Sequence, residues 1–209
     1  MKKYSINMFQ VPPLMVFEYE GDLNKDLDYV TNIEYTSTHS PLSSRSKNDY
    51  ILDDDNLKEL KQFCLDSIHE YVNEVLGTDH EIAIQQSWVN MCNTGQHLYE
   101  HYHPNSFISG VFYFASDQEK GSPITFSSEL HKSNFSVQKL SDNENSYYPS
   151  IAQRFQHPSI PGQLLLFSST TSHQVQVNES DKDRISLSFN TYPKLPFGNE
   201  WGLNMLTVP

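Results

Sequence analysis

The character of this sequence changes at Glu81. Before that point lies one long amphipathic pattern, from about Asn56 to Leu76. Its apolar positions Leu57, Leu60, Cys64, Ile68, Tyr71, Val72 and Val75 recur at intervals of three and four. After it come short runs rich in β-branched and aromatic residues: Glu81–Met91, Gln96–Tyr99, Phe107–Ala115, Ile124–Phe126, Gln163–Ser168, His173–Val177 and Arg184–Tyr192. Turn-rich pieces such as Asn93-Thr94-Gly95, Gln118–Pro123 and Asn178–Asp183 separate them. Strands that follow one another without intervening helices predict an antiparallel barrel or jelly roll rather than βαβ repeats. The helix is apolar on one side only, so it must cover something, and a sheet is the expected partner.

The expected fold class is therefore mainly β, a jelly roll with N-terminal helices bracing one sheet. Residues 8–20 read as a strand broken by Pro12 and Pro13, Asp22–Val30 as a short helix, and Thr36–Asn48 as a loop. Asp53–Asp55 place capping groups and negative charge at the positive end of the long helix, and Gly77 follows its close. The expected organisation is a single domain over 1–209. It has an N-terminal strand and helices in 1–80, a jelly-roll core in 81–192 and a tail in 193–209. Within the core, the polar stretch 127–161, holding His131, His157, Tyr147 and Tyr148, is long for a loop and is expected to be a lid or binding insertion.

Charge narrows the partners. Fourteen basic against 26 acidic residues leave a net charge of −12, so nucleic acid and anionic membrane are repelled at long range and neither is an expected partner. The start of the chain has no apolar run of signal-peptide length, and nowhere do eighteen apolar residues follow one another. A cytoplasmic location is expected. Cys64 and Cys92 have no CxxC spacing and are expected to be buried free thiols. A homodimer is the common default for the oligomeric state.

Nine histidines are present, and three carry the chemistry. His101 and His103 stand at i and i+2, so on a strand both imidazoles project to one side and can reach one metal ion. They lie in GQHLYEHYHPNSFISGVFYF, just before an apolar run that anchors them. His173 follows an apolar strand and a polar turn. Eleven residues later Arg184 opens a strand of sharp alternation, with Arg184, Ser186, Ser188 and Asn190 on one face and Ile185, Leu187 and Phe189 on the other. A polar face headed by arginine is poor core material unless it meets a ligand, and a carboxylate or phosphate best explains an inward guanidinium.

In this order and spacing, the pieces resemble the iron(II)- and 2-oxoglutarate-dependent oxygenase superfamily, prolyl-hydroxylase-like, over about Trp88 to Asn190. Gly95-Gln96 precede His101 as a Gly-Gln turn precedes the first histidine of the family's H-x-[D/E] pair, and His173, Arg184 and Ser186 follow in the family's order. SWVNMCNTG, HPNSFISGVFYF and RISLSFN are similar to a branch found in bacteria and phages. The resemblance implies a double-stranded β-helix and a hydroxylase, or another iron-dependent oxidase, that releases succinate and carbon dioxide. It implies iron(II) held by His101, His103 and His173, 2-oxoglutarate held by Arg184 with Ser186, ascorbate as an accessory reductant, and a small-molecule or protein side-chain substrate.

One departure matters. Where the family's triad has Asp or Glu, this chain has His103, and Glu100 points to the opposite strand face. A tyrosine of the strand after the pair often assists the cosubstrate; Phe112 is expected in that place here, so the helper is Tyr99 or Tyr113, or is missing. Asn90 and Asn190 could touch cosubstrate or substrate, or serve only in side-chain hydrogen bonds, and Trp88 is expected in the core. Two rivals stand beside this reading. A cupin-type three-histidine metal enzyme fits Gly95 and the His101-x-His103 pair, but gives Arg184 no role. A jelly-roll binding or structural module without redox activity fits the missing carboxylate.

Overall fold

The structure is a computed structural model that describes residues 2–6, 13–36, 42–127, 154–198, 200–202 and 204–207. Twelve strands and two α-helices follow in the order β1 (Lys2–Ile6), β2 (Leu14–Glu18), α1 (Leu23–Thr31), β3 (Tyr35–Thr36), β4 (Ser44–Ser46), α2 (Lys58–Tyr71), β5 (Ile82–Cys92), β6 (Leu98–His101), β7 (Ile108–Ala115), β8 (Ile124–Ser127), β9 (Arg154–His157), β10 (Gln163–Ser168), β11 (Ser172–Val175) and β12 (Arg184–Pro193). They form a major sheet ordered β1-β2-β10-β7-β12-β5-β4-β3 and a minor sheet ordered β6-β11-β8-β9, both antiparallel. The expected mainly-β jelly roll with helices against one sheet is what the chain forms.

Side-chain alternation sorts the residues of the major sheet between two cores. Met15, Phe17, Phe112, Phe114, Leu164, Leu166, Leu187 and Phe189 join Leu60, Cys64, Ile68 and Tyr71 of α2 in one apolar cluster. Their strand neighbours Leu14, Val16, Val111, Tyr113, Leu165 and Phe167 join Ile124 and Phe126 of the minor sheet in the other. Phe63 of α2 meets Tyr19 at 5.1 Å and Phe112 at 6.4 Å between ring centroids, which fixes the helix over β7. Each fully buried Leu, Ile or Phe here contributes about 1.5–3 kcal/mol relative to exposure. The helical layer therefore braces the sheet through its apolar stripe.

The long helix has its expected position with one refinement at each end. Asp54 accepts from the Asn56 amide and opens a 3-10 turn that leads into α2, and a π turn at Val72–Leu76 closes it before Gly77, whose φ of 65° is left-handed. The strands β1, β3 and β4 lie in stretches where none was expected; β3 and β4 interrupt the Thr36–Asn48 loop and extend the major sheet beside β5. Of the strand expected over 8–20, residues 13–20 are described and Leu14–Glu18 among them form β2; 8–12 lie outside the described residues. The 127–161 insertion divides similarly. Residues 128–153, with His131, Tyr147 and Tyr148, lie outside the described residues, while Arg154–His157 is no loop: it is β9, paired with β8. Among the described residues no helix is long and apolar enough to cross a membrane, and both cysteines are free and buried.

Gly110 of β7 faces the helical core directly opposite Phe189 of β12, and a Cβ built there would lie 2.0 Å from the Phe189 ring. Glycine is required at this position for close approach, because any side chain would displace the ring. Gly110→Ala should lower stability by about 1–3 kcal/mol in urea denaturation through overpacking. Combining it with Phe189→Leu should recover part of that loss.

Candidate active site: a three-histidine cluster and a buried guanidinium

Between the two sheets lies a chamber of about 390 Å³, lined among others by Trp88, Asn90, His101, His103, His173, Arg184 and Ser186. His101 ends β6 and His173 lies on the neighbouring strand β11, where the two residues are direct cross-strand partners. His103 lies just past the end of β6. Its amide donates to the Ser169 carbonyl at 3.0 Å, and Ser169 in turn bonds Ser106 and Ser109 through its hydroxyl, both at 2.8 Å. This hydroxyl network holds the end of the His-x-His segment against β7 and β12.

The three imidazoles converge. One nitrogen from each ring lies within 4.8 Å of the others, and ring centroids are separated by 5.2 Å (His101–His103), 4.5 Å (His101–His173) and 5.1 Å (His103–His173). Every Nδ1 is already engaged with an oxygen that can only accept. His101 donates to the Tyr99 carbonyl at 2.7 Å, His173 to the Thr171 carbonyl at 2.9 Å, and His103 to the Asn190 side-chain oxygen at 2.5 Å. The tautomer is thereby set on all three rings, and Nε2 is the nitrogen left with a lone pair. This is the arrangement in which histidine binds a transition metal, one nitrogen oriented by an outer hydrogen bond and the other free. The donor set fits iron(II), for which imidazole is a suitable ligand.

Arg184 stands at the other end of β12's polar face and is 1% exposed. Its Nε donates to Ser159 at 3.0 Å and its Nη1 to Ser186 at 2.9 Å, while the guanidinium carbon lies 5.0 Å from the centroid of the Tyr113 ring. Among the described residues no carboxylate pairs with it. Buried charges are ordinarily paired, so a guanidinium satisfied only by hydroxyls and a ring face marks a place for an anion. Among the described residues the Tyr113 hydroxyl is also buried and makes no hydrogen bond of good geometry, although Ser159 and Arg184 lie near it. Burial raises its pKa despite the neighbouring Arg184, so the phenol remains a protonated donor.

The residues singled out in the sequence are placed as follows. His101, His103, His173, Arg184, Ser186 and Asn90 all line the chamber, and the alternation read along β12 holds. Asn190 supports His103, and Asn90 donates to Ser188 at 3.1 Å. Tyr99 is not brought in: its ring is 62% exposed and packs on His97, and its part in the site is the carbonyl that orients His101. Phe112 does not occupy the inward place either, since strand parity sends it to the helical core and turns Tyr113 toward the chamber side. Trp88 is half-buried in the chamber wall, stacked on His103 at 5.9 Å and 16°, rather than in the core. Glu100 points away and accepts from Ser172. Ser159 had no signal in the sequence, because it lies in a polar stretch without periodicity.

The cluster leaves a mark on stability. Burial, then the neighbouring imidazoles of His101 and His103, hold His173 down to about 3 from an ordinary value of 6.5, and burial likewise lowers His103. The unfolded chain therefore takes up the His173 proton first as pH falls. The stability held above pH 6.5 is lost progressively between about 6.5 and about 3, by about 1.4 kcal/mol per pH unit from this group. Urea melts of metal-free protein at stepped pH should show that slope, and His173→Gln should remove it.

Comparison with known proteins agrees with this geometry. No curated protein is similar enough in sequence to count as a relative. Among solved structures, an oxidoreductase of the 2OG-Fe(II) oxygenase family from Burkholderia pseudomallei aligns with 11% identity and a TM-score of 0.61, over 85% of this chain and 83% of that one. HygX from Streptomyces hygroscopicus, with nickel and 2-oxoglutarate bound, aligns with 13% identity and a TM-score of 0.60, over 90% and 85%. A prolyl-4-hydroxylase from Pseudomonas putida aligns with 11% identity and a TM-score of 0.57, over 89% and 95%. Identities this low show a shared fold. The sequence itself goes further, for residues 86–190, half of the chain, match the family model of the 2OG-Fe(II) oxygenases. The chain belongs to that family.

Proposed function

We propose that His101, His103 and His173 hold the iron(II) of this 2-oxoglutarate-dependent oxygenase and that Arg184 binds the far carboxylate of the cosubstrate. The reaction is then hydroxylation, or a related oxidation, of a C–H bond in a small molecule or a protein side chain, with release of succinate and carbon dioxide. The observation that carries this is the buried Arg184 guanidinium, which has hydroxyl partners and no carboxylate among the described residues. A cupin-type site has no use for that group, and a binding module without chemistry has no use for three imidazoles in matched tautomers.

When bound there, iron(II) supplies the dioxygen activation that couples decarboxylation of 2-oxoglutarate to oxidation of the substrate. The chain's own residues do the rest. Ser159 and Ser186 hold the guanidinium in one plane, and the Tyr113 hydroxyl is free to donate to the same carboxylate. Asn190 keeps the His103 proton on Nδ1, and the Trp88 ring covers His103 from the side. Three neutral imidazoles bring no charge to the metal, so these protein ligands offset none of it, and the far carboxylate of 2-oxoglutarate is taken up by Arg184.

Anaerobic titration of iron(II)-loaded protein with 2-oxoglutarate tests the assignment through the weak visible metal-to-ligand band of bidentate chelation. The band should form in the native chain. Arg184→Ala should keep iron and weaken 2-oxoglutarate by a hundredfold or more, as expected for an unpaired buried charge, and Tyr113→Phe by about tenfold. A band of unchanged affinity in Arg184→Ala would remove the carboxylate role. Asn190→Ala should lower iron affinity by about 10–100-fold, the usual effect of losing the group that orients a histidine ligand, and metal titration would read it directly.

A further inference from the structure

The chamber's charge is out of keeping with the molecule around it. The chain carries 26 acidic side chains and a net charge of −12, yet among the described residues no acidic side chain lines the chamber, while two of the chain's three arginines do. Arg184 is one; Arg45 of β4 is the other. Arg45 is directly opposite Asn90 of β5, and Asn90 is directly opposite Ser186 of β12. Cross-strand partners share a face, so Arg45, Asn90 and Ser186 form one polar row that starts beside Arg184 and ends at the chamber's edge. The Arg45 side chain is half-exposed there.

Asp49 lies 3.4 Å from Arg45 Nη2 but takes no hydrogen bond from it; the facing oxygen, Oδ1, is buried and accepts none. The guanidinium is thus held by charge while, among the described residues, its fork of donors makes no hydrogen bond, which suits a planar carboxylate. The charge inventory points the same way. Iron(II) with two guanidinium groups brings four positive charges, and 2-oxoglutarate with Asp49 brings three negative ones. Among the described residues one positive charge is left. In the family's usual triad a metal-binding carboxylate supplies the missing negative charge, and in this chain His103 stands there instead.

We propose that the substrate supplies it: a carboxylic acid small enough to enter the chamber of about 390 Å³, its carboxylate held by the Arg45 guanidinium at the end of the Arg45–Asn90–Ser186 row. This inference rests on the iron and 2-oxoglutarate reading above. Arg45 contributes recognition and orientation, turning a C–H bond of the acid toward the histidine cluster. A neutral molecule of the same shape gives the guanidinium's donors no charged acceptor and binds less well.

The test is calorimetric titration of protein loaded anaerobically with iron(II) and 2-oxoglutarate. The probes are the N-acetyl derivatives of the common uncharged amino acids, each measured against its primary amide. At least one acid should bind saturably, with its amide weaker by about tenfold or more. Arg45→Gln should abolish the preference for acid over amide, and Arg45→Lys, which keeps the charge, should retain part of it. No binding by any acid, equal binding of acid and amide, or a preference intact in Arg45→Gln would overturn the proposal. The visible 2-oxoglutarate band, read in the same samples, separates the two ways of failing. Its presence with no acid preference sinks only the substrate assignment; its absence from the native chain sinks the cosubstrate reading beneath it.

Discussion

A slip of one residue between β12 and its neighbours would exchange everything this molecule needs on its two faces. Ile185, Leu187 and Phe189 would point into the chamber, and Arg184, Ser186 and Asn190 into the helical core. The register is held because β12 is an interior strand, paired along most of its length with β5 on one side and β7 on the other. It is also held because Phe189 fits only over Gly110. The apolar face of β12, buried under the helices, thus stabilises the placement of a polar face that would be costly to bury alone. Arg184 at one end and Asn190 toward the other inherit their positions from that packing.

From this strand the site extends by hydrogen bonds rather than by apolar contact. Asn190 reaches His103, the Ser169 network fixes the backbone beneath it, and the carbonyls of Tyr99 and Thr171 set the other two rings. Each donor faces an oxygen with no proton to give, so the protonation pattern of the cluster is decided by the backbone and one amide. Burial keeps His173 neutral across physiological pH, which is the form that offers a lone pair. Preorganisation here is a matter of which nitrogen carries the proton, and the fold alone decides it.

How much of this was legible in the residues differs from part to part. The His101-x-His103 pair, His173 and Arg184 were readable because each combines a chemically distinctive side chain with a local period or an interval. The sheet-facing helix was readable because its stripe spans five turns. Tyr113 was assigned less well, since neighbouring aromatics on β7 differ only in parity and the strand's exact start decides which one faces inward. Ser159 and Arg45 carried no readable signal, because a serine and an arginine in polar stretches have many ordinary roles. The short strands β3, β4 and β9 went unread because two to four residues contain too little periodicity to outweigh their turn-like composition.

By itself, the sequence determined the alternation of β12, the amphipathic stripe of α2, the order of the histidines and arginine along the chain, and hence the family and its fold. Those are local properties, set by side-chain chemistry at separations of two, three or four residues. Tertiary structure alone decided which groups meet: Ser159 with Arg184, Asn190 with His103, Trp88 over the same ring, and Arg45 in a row with Asn90 and Ser186. These partners are separated by as many as 96 residues, from Asn90 to Ser186, and no local pattern records a contact made only when two sheets close on one another. The electrostatics of the chamber belong to this second kind, for in a chain of net charge −12 the fold brings Arg45 and Arg184 to the chamber wall and, among the described residues, no carboxylate.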